Sequence, residues 1–286
     1  MDPILADLLE LLTLERIETD IFRGESHDIG TPQVFGGQVL GQALAAAGHT
    51  IEDRVPHSLH AYFLRRGDVE APIIYEVDRA RDGRSFSSRR VVAIQYGRPI
   101  FNLAASFQTM ETGIEHQLDM PDVPGPEGLA DRSEVSEAVL AQVHERVRRY
   151  LTRKRPFMVR PLSQLDFLNP QKLEPVKHVW IKAVDKLPDD PLLHQTLMAY
   201  VSDYELLGTA VIPHGINFTD TKIQMASLDH ALWFHHPFRV DEWLLFAFDS
   251  PSASGSRGLA RSNVFTRDGK LVASSAQEGL IRIRDD

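Results

Sequence analysis

The sequence predicts an α+β fold in which one order of elements, a helix followed by antiparallel strands, occurs twice. Three observations lead to this prediction: two helix-forming stretches offer little polar surface, alternating apolar and polar residues follow each of them, and Gly-Arg, Asp-Gly or Ser-Gly pairs punctuate the alternation. A period of two is typical of strands, and such pairs favour turns between them. At 286 residues with 43% hydrophobic content, the chain can bury one large core or two ordinary ones, and its length favours two.

The first half begins with an amphipathic helix that we expect to dock on the core rather than on a membrane. Its apolar stripe consists of Leu5, Leu8, Leu9 and Leu12. The first central helix follows at residues 35–49 and is built largely of Gly and Ala, so a curved sheet could lie close around it. Strands are predicted at residues 57–65 and within residues 73–108.

The second central helix is predicted from Leu192 to Leu207, a stretch without Gly or Pro. Pro191 and Gly208 stand where a first-turn proline and a C-cap glycine are favoured. Asp203 then lies in a segment that looks buried on nearly all sides, and a buried carboxylate needs partners. The alternative is that Asp203 is a surface residue facing a wet gap.

A linker separates the halves. Residues 113–134 are rich in Pro, Gly and acidic residues and lack any periodicity, and a charged helix follows up to Pro156. We therefore expect three parts: an N-terminal domain at residues 1–115, a linker with a charged helix at 116–155, and a C-terminal domain at 156–286.

The second half repeats the first. Its strands are predicted within residues 226–237 and 244–277, after the helix. Ser58-Leu59 matches Ser227-Leu228, and Gln108 matches Gln277 at the same separation of 169 residues, which duplication explains better than chance. One helix followed by a run of strands that curve around it is the arrangement of the hot-dog fold. The fold prediction is a double hot-dog, with two antiparallel sheets each wrapped around a central helix as a pseudo-dimer within one chain.

Composition excludes several classes of function. The net charge of -9 disfavours non-specific binding to nucleic acid. The chain has no cysteine, which rules out disulfides, thiolate metal sites and a cysteine nucleophile, and which fits a reducing compartment. No apolar run approaches the roughly 18 residues of a membrane helix, and the start carries acids where a signal peptide carries bases. We expect a cytoplasmic protein without membrane insertion.

Motifs of other enzyme classes are missing from the sequence. There is no G-x-S-x-G nucleophile elbow, no phosphate-binding P-loop and no G-x-G-x-x-G. The histidines in HSLH and FHH have neither an accepted ligand spacing nor an acid pair beside them. We therefore expect no metal and no cofactor.

Six ordered motifs carry a resemblance that covers nearly the whole chain: VFGGQVLGQAL, HSLHAYFLRRGD, RDGRSFSSRRVVAIQ, NLAASFQ, SLDHALWFH and VASSAQEGLIR. Together they resemble the bacterial type II acyl-CoA thioesterases, the TesB family, which peroxisomal thioesterases also represent. The resemblance implies two hot-dog domains in one chain and hydrolysis of acyl-CoA to free fatty acid and CoA. It also implies a homo-oligomer, either a dimer or a tetramer.

The resemblance implies a catalytic site as well, since this family holds the attacking water with a carboxylate, a hydroxyl and an amide. The matching residues are Asp203 in YVSDYELL, Ser227 in MASLDHALWFH and Gln277 in SSAQEGL. Many relatives have Thr where this chain has Ser227. Both side chains carry a hydroxyl, so this departure removes only a methyl group. An ionised Asp203 within roughly 3 Å could take the proton of the water as it attacks the thioester, while the two neutral groups orient it.

The first half offers an incomplete copy of this set. Ser58 and Gln108 keep the hydroxyl and the amide. The position on the first central helix that best corresponds to Asp203 is Ala46, which has no carboxylate. We therefore expect one working site per chain, with the first half shaping the pocket.

The phosphates of CoA need local positive charge in an acidic chain. The candidates outside the linker are Arg84, Arg89, Arg90, Arg257 and Arg261. The linker adds a basic cluster within residues 146–155, whose alternative role is a solvated face.

Two other functions stay open. The chain could be a non-catalytic acyl-CoA sensor or scaffold that kept the fold, and turnover would separate this from an enzyme. A hydratase acting on enoyl-CoA would pair an acid with a histidine on the same central helix. His194 lies nine residues before Asp203, about two and a half turns away, which disfavours the hydratase.

Overall fold

A computed structural model describes residues 1–30, 33–163, 169–216 and 223–284, apart from the side chains of Arg146 and Tyr150. The strands of the described residues form one antiparallel sheet. In the first half these are β1 (Glu15–Glu18), β2 (Ile21–Gly24), β3 (Val55–Phe63), β4 (Ile73–Asp82), β5 (Phe86–Gln95) and β6 (Arg98–Gln108). In the second half they are β7 (Phe157–Pro161), β8 (Val176–Ala183), β9 (Ile223–Ser227), β10 (Asp229–Phe234), β11 (Leu244–Ser254), β12 (Arg257–Thr266) and β13 (Leu271–Ile283).

The sheet runs without interruption through both halves, in the order β1-β2-β4-β5-β6-β3-β10-β13-β12-β11-β8-β7, and β9 pairs with the end of β13. β3 and β10 meet at the centre, where His60 faces Ala231. The strands of each half thus follow the same spatial order around a shared seam. The predicted α+β double hot-dog is confirmed, with the refinement that its two sheets are continuous. The predicted domain boundaries after residues 115 and 155 stay a prediction.

Six α-helices lie within the described residues. They are α1 (Pro3–Leu12), α2 (Gly36–Gly48), α3 (Glu137–Leu140), α4 (Glu145–Thr152), α5 (Pro191–Ser202) and α6 (Leu206–Thr209). The central helices α2 and α5 pack against each other, and glycines permit this contact. A Cβ on Gly37 would lie 2.1 Å from the carbonyl oxygen of Tyr200, and one on Gly41 would lie 3.3 Å from that of Thr196. The small residues of α2 therefore permit close packing against α5, in addition to the close packing against the sheet that the sequence predicts.

The second central helix is shorter than predicted. α5 starts at Pro191, as expected, with Asp190 as its N-cap, but it ends at Ser202 instead of Leu207. Glu205 adopts a left-handed backbone with φ of 64°, which a continuing α-helix excludes. Asp203 is consequently the C-cap of α5 rather than a residue in its middle.

The other helices agree in part with the sequence. Leu5, Leu8 and Leu12 of α1 are buried, so this helix docks on the core as predicted. The prediction of a single charged helix up to Pro156 is wrong, because this segment forms two separate short helices, α3 and α4. No helix in the described residues is both long and apolar enough to cross a bilayer.

The repeat holds in its order of elements and fails in its register. Ser58 lies inside β3 and faces Ser106 in β6, whereas Ser227 ends β9 and faces Gly279 in β13. Gln108 ends β6, while Gln277 lies within β13. The shared separation of 169 residues therefore does not mark equivalent positions in the sheet.

Candidate active site

The structure brings together the three residues that the sequence singled out. Asp203 is the C-cap of α5, Ser227 ends β9 and Gln277 lies within β13. Nε2 of Gln277 donates a hydrogen bond to Oδ1 of Asp203 at 2.6 Å and lies 3.2 Å from Oγ of Ser227. The side chain of Gln277 is 1% exposed, since it alternates with outward residues along β13.

The first half contributes backbone to this site, which the sequence motifs did not predict. A Cβ on Gly36 would lie 2.7 Å from Oδ2 of Asp203, so the carboxylate rests directly against this glycine. The backbone N–H of Gly37 also donates to the carboxylate. Both glycines are at the start of α2, where the helix dipole favours a negative charge. The adjacent glycines in FGGQ, at the start of the predicted helix, were the available signal.

Asp203 has the environment of a general base. Burial raises its pKa to about 6, against the opposing effect of hydrogen bonds from Gln277, Gly37 and Ser227. Desolvation penalises the charged form, while these donors stabilise it. The carboxylate is therefore mostly ionised near neutral pH, yet more basic than an ordinary aspartate.

His230 is a second residue that the sequence motifs did not assign to the site. Its Nδ1 lies 3.2 Å from Nε2 of Gln277, and its Nε2 lies 2.9 Å from Oγ of Ser202. The ring is 1% exposed, and burial lowers its pKa to about 3, which keeps it neutral. An amide nitrogen can only donate, so Nδ1 accepts from Gln277 and Nε2 donates to Ser202.

The hydrogen bonds continue from the histidine into the central helix. The hydroxyl of Ser202 donates to the carbonyl oxygen of Ala199 at 3.0 Å, one turn back in α5. A chain of contacts thus links the helix, His230 and Gln277 to the carboxylate of Asp203. These hydrogen bonds fix the amide of Gln277 with its nitrogen towards Asp203, where a rotation would otherwise exchange the nitrogen and the oxygen.

A cavity of about 100 Å³ opens beside Asp203. Its other lining residues come from the loop before α2, the linker, β7 and the end of α5: Ile29, Phe35, Arg132, Leu151, Arg153, Arg155, Val159, Tyr204 and Glu205. The rings of Phe35 and Tyr204 meet edge to face at 5.5 Å. The site therefore combines an apolar wall with several charges.

Glu205 is the other carboxylate at this cavity, and its environment is opposite in kind. Arg132 and Lys177 both bind its side chain, the latter at 2.8 Å. Although burial alone would raise it, these two charges lower the pKa of Glu205 to about 2. Glu205 is thus a permanently ionised anchor between the linker and the end of α5, whereas Asp203 can exchange a proton.

The five arginines proposed for the CoA phosphates do not line this cavity among the residues that the structure describes. Arg89 is 2% exposed and bonds Thr50 and Asp82, so it is a core residue and the prediction is wrong for it. The remaining four are exposed: Arg84 and Arg90 without an ion pair in the described residues, and Arg257 and Arg261 paired with Glu278 and Asp249. Instead, Arg153 and Arg155 of the linker line the same cavity as Asp203.

Two histidines of HSLH and FHH, His57 and His235, contact serine hydroxyls. His57 lies 2.8 Å from the hydroxyl of Ser106, and His235 lies 3.0 Å from that of Ser274. Within the described residues, no group of three or more His, Asp or Glu side chains is arranged to hold a metal ion.

Comparisons with known proteins point to acyl-CoA thioesterases. Residues 147–280 match a family described as acyl-CoA thioesterase, and residues 23–108 match one described as acyl-CoA thioesterase N-terminal domain. The chain is 44% identical to acyl-CoA thioesterase 2 of Haemophilus influenzae, with 100% of both chains covered. It is 40% identical to human acyl-coenzyme A thioesterase 8, covering 96% of this chain and 88% of that one.

Solved structures give the same result. Acyl-CoA thioesterase II TesB2 of Mycobacterium marinum superimposes with a TM-score of 0.80 at 42% identity, covering 97% of this chain and 99% of that one. A hot-dog protein of unknown function from Alicyclobacillus acidocaldarius has a TM-score of 0.78 at 17% identity, covering 98% and 99%, and it supports the fold alone. Motifs, fold and full-length identity agree, and the chain belongs to the type II acyl-CoA thioesterase family.

Proposed function

We propose that this thioester hydrolase cleaves acyl-CoA to a free fatty acid and CoA by means of a water molecule that Asp203, Ser227 and Gln277 hold. The observation that carries the proposal is the carboxylate of Asp203, which receives hydrogen bonds from Gln277, Ser227 and Gly37 at the wall of a cavity. Its pKa of about 6 suits a base that works near neutral pH.

The reaction needs two proton transfers: one from the attacking water to Asp203, and one from Asp203 to the leaving thiolate or to solvent. Ionised Asp203 takes a proton from the water as the water oxygen attacks the thioester carbonyl, and a tetrahedral oxyanion forms. The carbonyl re-forms as the C–S bond breaks, and the CoA thiolate leaves. A thiol has a pKa of about 8.5, so the thiolate departs without a strong general acid, and the proton on Asp203 passes to it or to solvent.

The neutral groups position the water in this proposal. The hydroxyl of Ser227 can both donate and accept, so it can contact the carboxylate and the water together. The amide of Gln277 bonds Asp203 at 2.6 Å and is held by His230 from behind. Neither group competes with Asp203 for the proton, because neither is charged near neutral pH.

The test is release of CoA from acyl-CoA of several chain lengths, followed with a thiol reagent. The chain has no cysteine, so the protein adds no thiol signal of its own. We expect Asp203→Asn to lower kcat by about 10²–10⁴-fold while acyl-CoA binding, measured by calorimetry, is retained. Asp249→Asn is the matched control, since this carboxylate pairs with Arg261 away from the cavity.

Two outcomes would favour other functions. If the natural chain binds acyl-CoA and releases CoA at no chain length, the protein is a sensor or scaffold with the fold of an enzyme. If enoyl-CoA gains water without releasing a thiol, it is a hydratase. An Asp203→Asn variant with unchanged kcat would leave the thioesterase activity but remove Asp203 from its mechanism.

We also propose that the enzyme forms a homo-oligomer, a dimer or tetramer, and that it works in the cytoplasm. The family resemblance supports this proposal, and most homo-oligomers associate with closed symmetry. The lack of cysteine fits a reducing compartment. Sedimentation equilibrium of the purified chain and fractionation of cells that express it test the two statements.

A further inference from the structure

A second cavity, of about 460 Å³, adjoins the one at Asp203. The two cavities share four lining residues: Ile29, Arg153, Arg155 and Tyr204. The second cavity extends from these shared residues past α1 and the C-terminal part of α4 to exposed residues of the linker. The cavity at Asp203 and this more exposed cavity are therefore neighbours that these residues border on both sides.

The wall of this second cavity is positively charged. Four cations line it, Arg149, Arg153, Lys154 and Arg155, against the two carboxylates of Asp7 and Asp28. This excess stands in a chain whose net charge is -9. A basic mouth on an acidic protein favours an anionic ligand over a neutral one.

The four cations lie at two depths. Arg153 and Arg155 are half-buried and bond the backbone oxygens of Ile29 and Leu151, so they help to hold the linker in place. Arg149 and Lys154 are exposed at the rim. Within the described part of the chain, neither rim side chain forms a hydrogen bond or an ion pair with a carboxylate, so each can bind an incoming anion.

We propose that Arg149 and Lys154 bind the phosphates of the CoA nucleotide, so that the linker selects CoA thioesters over thioesters without phosphate. This inference rests on the proposed function. An acyl-CoA whose carbonyl lies at Asp203 extends its pantetheine arm away from the reacting carbon and places its phosphates at a distance. The rim of the adjoining cavity offers the cations that such phosphates require. The linker cluster is then part of the substrate site and not merely a solvated face.

The experiment compares two thioesters with the same acyl chain, acyl-CoA and acyl-pantetheine, which lacks the phosphates. For the Arg149→Gln/Lys154→Gln variant we expect KM for acyl-CoA to rise roughly tenfold, since two exposed charge pairs contribute this order, with kcat unchanged. Acyl-pantetheine should be hydrolysed as by the natural chain. Added salt should lower kcat/KM for acyl-CoA in the natural chain and have less effect in the variant.

The matched control is Arg66→Gln/Arg98→Gln, which removes the same charge from two exposed positions outside both cavities. It should behave as the natural chain with both substrates. If this control raises KM as much as the rim variant, the effect comes from net charge and the proposal is wrong. The proposal also fails if the rim variant impairs acyl-pantetheine equally, or changes only the preferred acyl length.

A binding measurement separates this proposal from the proposed function. Adenosine 3′,5′-bisphosphate carries phosphates of the CoA nucleotide type without a thioester, and calorimetry should show that it binds the natural chain and not the rim variant. If the natural chain hydrolyses neither thioester but binds this probe through the rim, the rim site stands and the hydrolysis proposal fails. If hydrolysis is seen and the probe binds both chains equally, the rim proposal is overturned.

Discussion

The carboxylate of Asp203, at the end of α5, rests against Gly36, at the start of α2, so closely that a Cβ on Gly36 would lie 2.7 Å from Oδ2. Gly37 adds a backbone hydrogen bond to the same carboxylate. The proposed base of the second half is therefore seated on backbone of the first half. The two halves build this site jointly, because the α2–α5 contact joins them there.

The contact gives a sharp prediction for Gly36→Ala. The added methyl must displace either the carboxylate or the ring of Phe63, which lies 3.0 Å from the same point. Misplacing a catalytic group by about 1 Å can cost on the order of 10²-fold, so we expect kcat to fall by about 10- to 100-fold while thermal unfolding shows a folded protein. Gly113→Ala is the control, since nothing lies within 4 Å of that position. A Gly36→Ala enzyme with natural kcat would contradict the seating of Asp203.

The raised pKa of Asp203 predicts the acid limb of the pH profile. The base must be ionised, and its pKa is about 6, so kcat/KM should rise with pH up to this value and level off above it. Gln277→Ala removes a hydrogen bond that favours the ionised form, and its midpoint should shift to higher pH. Initial rates between pH 4.5 and 8 test both statements. A profile that stays flat through pH 6 would exclude Asp203 as the titrating base.

His230→Phe tests whether the histidine positions Gln277. Phenylalanine fills the ring volume but cannot accept the hydrogen bond at Nδ1, so the amide should lose its preferred orientation towards Asp203. We expect kcat to fall about tenfold, KM to change little and the acid limb to shift to higher pH, as for Gln277→Ala. A merely structural effect would leave that limb in place. His235→Phe, at a histidine bonded to Ser274 on an exposed position, should match the natural chain.

The hydroxyl at position 227 should matter more than its methyl group. Ser227→Ala removes the hydrogen bond to Asp203, and we expect kcat to fall about tenfold or more. Ser227→Thr keeps the hydroxyl and restricts its rotation, so kcat should equal or exceed that of the natural chain. Steady-state rates of the two variants decide this. Equal losses in both would show that volume at this position, and not the hydroxyl, controls the rate.

Glu205→Gln should destabilise the fold. The change leaves the buried charges of Arg132 and Lys177 without their carboxylate, which typically costs about 3–5 kcal/mol of the free energy of unfolding. The pKa of Glu205 is lowered from 4.5 to about 2, so its stabilising effect is complete above pH 4.5 and is lost as pH falls towards 2. Urea denaturation at pH 7 and pH 3 measures both. The difference between natural chain and variant should shrink at the lower pH, and an unchanged difference would contradict the assignment.

Local patterns of residues determined much of the fold and the chemistry of this protein. Alternation along β4, β5, β6, β11, β12 and β13 indicates which face of a strand is buried, and the Gly- and Ala-rich composition of α2 indicates close packing. The motifs around Asp203, Ser227 and Gln277 singled out the groups for which we propose catalytic roles, since a family resemblance depends on residue types in order. These properties depend on residues that are close together along the chain, so they can be read from the sequence.

The tertiary structure decided what depends on residues far apart in the chain. α5 stops at Ser202 because Glu205 is held in a left-handed turn next to Arg132, 73 residues away. Arg89 proved to be a core residue, and the linker instead of the arginines of the sheet supplies the charges near Asp203. The sequence alone determined the fold class and suggested the three residues of the proposed site. The contacts that seat Asp203 on Gly36 and lock Gln277 through His230 arise when two helices and two strands pack, because long-range packing leaves no periodic signal in the sequence.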